Sequence, residues 1–189
     1  MLRMKLVGIA GTNGSGKDTV GRMLAETYSF LFISVSDLLR NECRRRGLPV
    51  EREHLRAISA EWRRAGGLGV LIDKAIEEFK RQEAHYAGLA VASVRNPGEN
   101  KRVHELGGTM VWVDAAPRVR YDRIQSANRG RGTEDTKTYE QFLAEEEAEM
   151  HASGDAATLD MSAVKDLCDM TILNEGTEAD LAAQLTIFS

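Results

Sequence analysis

The apolar positions of this chain fall into two patterns that alternate along its length. Five short, near-continuous runs read as buried strands: Lys5-Leu-Val-Gly-Ile-Ala10, Leu31-Phe-Ile-Ser-Val35, Leu89-Ala-Val-Ala-Ser-Val94, Thr109-Met-Val-Trp-Val113 and Asp169-Met-Thr-Ile-Leu-Asn174. Between them the apolar residues recur at helical spacing. Val20, Met23, Leu24 and Tyr28 predict a helix over 17–28, Leu55, Ile58 and Trp62 one over 51–65, and Leu71, Ile72, Ile76 and Phe79 one over 69–84. Ser36-Asp37 reads as the cap of a helix running to Arg46, stopped by Gly47-Leu-Pro49. A short helix ends at Gly107-Gly108, Pro117 opens another over 118–126, and a terminal one covers 178–185. The helix over 138–151, with Glu145, Glu146, Glu147 and Glu149, reads as a solvated acidic face or as a counter-charge for the basic stretch before it. Strands alternating with helices predict an α/β fold: a five-stranded parallel sheet in a three-layer α/β/α arrangement with right-handed crossovers. Ligands of such folds sit beyond the C-terminal ends of the strands, where the polar clusters of this chain also gather.

The first strand runs into Gly11-Thr12-Asn13-Gly14-Ser15-Gly16-Lys17, which holds the Gly-x4-Gly-Lys core of a phosphate-binding loop. Its glycines let the backbone turn N–H groups onto an anion, the following helix adds its positive end, and Lys17 brings a full charge. The next residue is normally Ser or Thr, whose hydroxyl binds Mg²⁺. Here it is Asp18, and the hydroxyl comes one place later at Thr19. Asp18 has two readings: a ligand of the metal, direct or through water, or a favourable charge in the first turn of a helix.

A chain of 189 residues fits one domain with a substantial core. The net charge of -4 argues against a general affinity for nucleic acid or anionic membrane. Cys43 and Cys168 lie far apart and match no metal spacing, so both read as free thiols. His54, His85, His104 and His151 form no pattern. With no signal peptide and no apolar run of transmembrane length, the expected location is cytoplasmic. Nothing in the sequence sets an oligomeric state.

The order of the polar segments carries a resemblance. A phosphate loop is followed by Ser36-Asp-Leu-Leu-Arg40, a strand ending in Arg95, an arginine-rich stretch at Arg123-x5-Arg129-Gly-Arg131, and a last strand closing on Asn174-x-Gly176. This is similar to adenylate kinase-type nucleoside monophosphate kinases and to dephospho-CoA kinases. The displaced hydroxyl of Gly-Ser-Gly-Lys-x-Thr belongs to the same resemblance. It implies a P-loop NTPase fold with a helical acceptor-side insertion over 37–85 and a small arginine-rich lid over 123–137. ATP with Mg²⁺ is then the donor, held by residues 11–19 and, through the turn at Asn174 and Gly176, at the adenine. Arg40 and Arg95 match arginines that grip the acceptor's phosphate. Arg123, Arg129 and Arg131 look like lid arginines that, with Lys17, neutralise transition-state charge.

Alternatives stand beside these roles. Arg40 also fits a solvated charge run with Arg44, Arg45 and Arg46, and Asn174-Glu-Gly176 also fits a plain strand-to-helix turn. Asp37 reads as a cap, as a group orienting the acceptor, or as a general base. The resemblance departs at Ala92-Ser93, where these kinases usually carry an Asp that organises Mg²⁺; Asp18 or Asp114 would have to compensate. The leading expectation is transfer of the γ-phosphate of ATP to a nucleoside or deoxynucleoside monophosphate. The rivals are a dephospho-CoA kinase using Asp37 as base, and a nucleotide-dependent switch or assembly factor.

Overall fold

Five parallel strands form a single sheet in the order β2-β3-β1-β4-β5: β1 (Lys5–Ala10), β2 (Phe30–Ser34), β3 (Gly88–Ala92), β4 (Thr109–Asp114) and β5 (Met170–Leu173). The computed structural model describes residues 5–126, 137–151 and 154–189. Side chains alternate across the strands, and both faces are buried. Leu6, Leu89, Val91, Met110 and Trp112 join one apolar cluster, while Val7, Ile9, Ala90, Val111 and Val113 join the other. This is why the strands read as continuous apolar runs rather than as alternating ones.

Helices α1 (Lys17–Tyr28) and α9 (Glu178–Leu185) cover the second face, through Val20 and Leu24 and through Leu181 and Leu185. Helices α2 (Val35–Arg45), α3 (Arg52–Gly66), α4 (Val70–Lys80), α5 (Pro97–Glu105) and α8 (Met161–Asp166) bury residues in the first cluster. Helices α6 (Pro117–Ser126) and α7 (Tyr139–Met150) lie between β4 and α8 in the chain and pack on each other through Tyr121, Tyr139 and Phe142. The three-layer α/β/α architecture is the one the sequence predicts.

One local expectation is corrected, and one helix is new. Ser36-Asp37 does not cap α2: β2 passes directly into the helix at Val35, with Ser34 in the cap position and Asp37 inside the first turn. Val35, Leu39 and Cys43 recur at one-turn spacing and are all buried, so the apolar face pulls the helix start upstream of its polar pair. Second, α8 has no counterpart in the sequence reading; it buries only Met161 and Val164, too few positions for periodicity to register.

The sheet order positions the site. From β1 the chain leaves through α1 to β2 on one side; from β3 it leaves through α5 to β4 on the other. The adjacent strands β1 and β3 thus send their connections in opposite directions, and a crevice opens above their C-terminal ends. The loop after β1 is the Gly-rich loop, and the loop after β3 carries Arg95. Cys43 and Cys168 are free, and burial pushes the Cys168 thiol up to about 11. Among the described residues no helix is long and apolar enough to cross a membrane.

Candidate active site

The loop between β1 and α1 holds its shape through glycine. Gly11, Gly14 and Gly16 have φ of 149°, 79° and 93°, a region that L side chains rarely enter. A Cβ on Gly14 would lie 2.6 Å from the backbone oxygen of Arg120. Gly16 is the N-cap of α1, so Lys17, Asp18 and Thr19 form the first helical turn at the positive end of the dipole. Lys17 is buried in the cavity wall. The hydroxyls of Thr12 and Ser15 are buried without a hydrogen-bond partner among the described residues.

The loop is clamped from the far side of the sheet. Asn174, just past β5, donates from Nδ2 to the Ser15 carbonyl at 2.8 Å and from its backbone N to the Asp114 carbonyl at 2.8 Å. Arg123 on α6 donates from Nη2 to the Asn174 carbonyl at 2.7 Å. Asn174 and Arg123 therefore reach the loop through structural bonds, and both line the cavity together with Gly176 and Asn13. Arg129 and Arg131, like most of the expected lid, lie outside the described residues.

Asp18 and Thr19 also face this cavity. One carboxylate oxygen of Asp18 is buried with no hydrogen-bond partner among the described residues, and the Thr19 hydroxyl accepts from Arg22 Nη2 at 3.3 Å. Asp114 does not line the cavity; its carboxylate accepts from the Ala115 backbone N at 2.9 Å and from Lys165 Nζ at 3.5 Å. Of the two candidates to stand in for the missing third-strand Asp, only Asp18 lines the cavity. Ser93 occupies that third-strand position, buried on the cavity wall with φ of 67°. A non-glycine residue held there stores strain beside the loop.

The opposite wall is built from arginines. Arg40 donates to Asp37 at 2.6 Å, one turn apart on α2, and both side chains line the cavity. Arg52, Arg56 and Arg63 share one stripe of α3 and also face it. Arg63 is fully buried; its Nε and Nη2 donate to Glu99 Oε1 at 3.0 and 2.6 Å. The other Glu99 oxygen accepts the backbone N–H groups of Arg95 and Asn96 at 2.9 and 3.2 Å. The buried Arg63–Glu99 pair thus fixes the turn that presents Arg95.

Arg95 meets an unexpected partner. Its Nη1 donates to Glu149 Oε2 at 3.0 Å, while Glu149 Oε1 accepts from Arg56 at 2.9 Å and from Arg52 at 3.4 Å. Burial pushes the Glu149 carboxyl up, but the charges of Arg95, Arg52 and Arg56 outweigh it and hold the pKa near about 2. Glu145 pairs with Arg52 and Lys137, and Glu146 with the buried Arg120. The acidic helix is therefore not a solvated face. Glu149 and Glu146 turn inward onto arginines, and Glu147 stays exposed with His151.

One cavity of about 1760 Å³ joins both walls, from Gly14, Lys17 and Thr19 to Arg40, Arg56 and Arg95. The sequence reading brought Asp37, Arg40 and Arg95 to this space and missed Arg52, Arg56, Arg63 and Glu149. The i, i+4, i+11 spacing of the α3 arginines was the available signal.

Comparison with known proteins agrees with the architecture. The family model described as AAA domain matches residues 10–140. A UPF0200 protein of Methanococcus maripaludis is 26% identical over 96% of this chain and 94% of its own length. A UPF0200 protein of Pyrobaculum aerophilum is 30% identical over 74% of each. Among solved structures, shikimate kinase from Bacteroides thetaiotaomicron superposes with a TM-score of 0.60 at 14% identity, covering 98% of both chains. Shikimate kinase from Acinetobacter baumannii, in complex with shikimate, gives 0.56 at 17% identity over 98% of this chain and 92% of its own. At such identities the likeness is one of fold. With its glycine loop, parallel sheet and crevice, this chain belongs to the AAA-domain family, on a P-loop kinase fold, and to the UPF0200 proteins.

Proposed function

We propose that this protein is an ATP-dependent phosphotransferase that moves the γ-phosphate of ATP to a small, phosphate-bearing acceptor, a nucleoside or deoxynucleoside monophosphate. The observation that carries this reading is the continuity of the cavity from the Gly-rich loop to an arginine wall. A donor and an acceptor that are both anionic must be held in line with their charges neutralised, and guanidinium groups suit the second anion because they stay charged and bind bidentately. An acceptor that is only a hydroxyl would need a base more than it needs cations.

In this reading residues 11–17 cradle the β- and γ-phosphates, and Lys17 supplies charge to the oxygens that gain it during transfer. Arg123 lies at the loop's edge, with its Nη1 buried and without a partner among the described residues, placed to face the donor phosphates. Arg40 and Arg95 hold the acceptor, and α2 to α4 form its cover. Asp37, held by Arg40, orients an acceptor group. Asn174 and Gly176 border the donor's base.

The fold implies Mg²⁺ with ATP, and the residues present fit it. The buried, unpartnered carboxylate oxygen of Asp18 and the Thr19 hydroxyl are its protein-side candidates. Among the described residues no cluster of three or more His, Cys, Asp or Glu would hold a metal alone, so ATP and water would supply the remaining ligands. When bound with ATP, the ion neutralises phosphate charge.

The test is ADP formation against a panel of ribo- and deoxynucleoside monophosphates and dephospho-CoA. Acceptor-stimulated turnover that Lys17→Ala lowers by at least about a hundredfold is expected. Full turnover in Lys17→Ala would sink the assignment. Tight ATP binding with no stimulation by any acceptor would identify a nucleotide-dependent switch instead.

A further inference from the structure

Glu149 puts a carboxylate into the arginine wall. Its two oxygens take hydrogen bonds from three guanidinium groups that arrive from separate places: Arg52 and Arg56 from successive turns of α3, Arg95 from the turn after β3. The carboxylate is buried, and all four residues line the cavity shared with Lys17. Cations outnumber it. Three guanidiniums converge on the Glu149 carboxylate, and Glu145 shares Arg52 with it. A phosphoryl dianion carries twice that charge and one more acceptor oxygen, so it satisfies three converging guanidiniums more fully than a carboxylate does.

We propose that Arg52, Arg56 and Arg95 form the subsite for a phosphoryl dianion on the acceptor, with Glu149 as its built-in competitor. This deepens the phosphotransferase reading and rests on it for what the dianion belongs to. Glu149 must leave the three arginines before the acceptor is seated. The exchange selects its ligand. A neutral acceptor that displaced Glu149 would take away the carboxylate these partly buried guanidiniums share and return no charge, whereas a phosphate monoester replaces every bond lost. Glu149 is thereby a specificity-determining residue on the acceptor side. It keeps a cation cluster beside the donor site from standing open to stray anions.

Inorganic phosphate is the probe, titrated calorimetrically into the full chain already saturated with Mg²⁺ and a non-hydrolysable ATP analogue, so that the Gly-rich loop is occupied. Glu149→Gln is expected to tighten phosphate by about tenfold or more, and Arg56→Gln to weaken it by a similar factor. The Arg56 side chain is 52% exposed, so its loss leaves the fold intact. Glu149→Asp, which keeps the charge but shortens the reach, guards against misfolding of the glutamine variant and is expected to tighten phosphate by a smaller factor. Phosphate affinity within twofold of the unmodified protein in a folded Glu149 variant, or in Arg56→Gln, overturns the proposal. The two readings fail separately. A response at Glu149 in a protein without turnover keeps the anion subsite and removes the kinase. Turnover with no response at Glu149 does the reverse.

Discussion

Gly16 answers three demands at one position. It turns the chain with φ of 93°, it caps α1 so that Lys17 heads the helix, and it leaves room for the Asn174 carboxamide, which a Cβ would strike. Gly16→Ala is therefore expected to push Asn174 off the Ser15 carbonyl and to strain the backbone by about 1–2 kcal/mol. An ATP titration should show affinity falling by roughly tenfold or more, since the strain and the lost clamp act on the same loop. On the proposed function, Asp37 bears on the acceptor's chemistry. Its carboxylate is held by Arg40 at 2.6 Å, the state of an orienting group more than of a free base. Asp37→Asn should keep kcat within about tenfold if the acceptor is a phosphate, and lose most of it if the acceptor is a hydroxyl that must be deprotonated. The glycines and Lys17 were legible because a backbone with positive φ demands glycine locally, whatever the rest of the chain does. Glu149 was not legible, because its environment is made by arginines on α3 and after β3, far from it in sequence. Four acidic residues on one short helix look solvated until the fold shows which of them turn inward.

At the scale of elements, the start of α5 ties the arginine wall to the segment beyond α7. Asn96 caps the helix by accepting from Gly98 N at 2.8 Å, and its own Nδ2 donates to the carbonyls of Ala156 and Thr158 at 2.8 and 2.7 Å. Pro97 occupies the first helical position, where its missing N–H costs nothing. Asn96→Ala removes the cap and two buried hydrogen bonds together, and urea denaturation should show a loss of about 2–4 kcal/mol. Asn96→Asp keeps the cap but buries a carboxylate against two carbonyl oxygens beside Glu99, so its loss should be at least as large. The helices of the sequence reading have counterparts in the structure wherever a long apolar stripe met a core. The reading misplaced only the cap of α2, where polar residues downstream mimicked it, and missed α8, where two apolar residues are too few to declare a period.

For the molecule as a whole, the inward carboxylates set an acid limit. Glu149 and Glu42 both have pKa values held near about 2, Glu42 first by its hydrogen bond from Arg45 and then by Arg46 against the opposing effect of burial. A carboxylate whose pKa is depressed in the folded chain stabilises it above the unfolded value of about 4.3, and that stability is lost as pH falls through the folded value. Unfolding free energy should accordingly fall between about pH 4.5 and pH 2, with about 3 kcal/mol of the drop traceable to the buried Glu149. Glu149→Gln should lose stability at neutral pH and flatten that acid slope, a difference that denaturant melts at several pH values would measure. The number of strands and their parallel sense were readable from composition and alternation. Their order was not, because nothing local in a buried strand names its neighbour.

That order also fixes when the Gly-rich loop takes its shape. The first strand synthesised is the middle of the sheet, and its neighbours are residues 88–92 and 109–112 rather than the strand that follows it. The clamp on Ser15 arrives later still, with Asn174. On the ribosome the clamp on the Gly-rich loop therefore waits until residue 174 has emerged, and pairings of such long sequence separation are slow to close. On the proposed function, nucleotide would meet a shaped loop only once Asn174 has joined it, so ATP would act on a late folding step and leave the early ones to the chain alone.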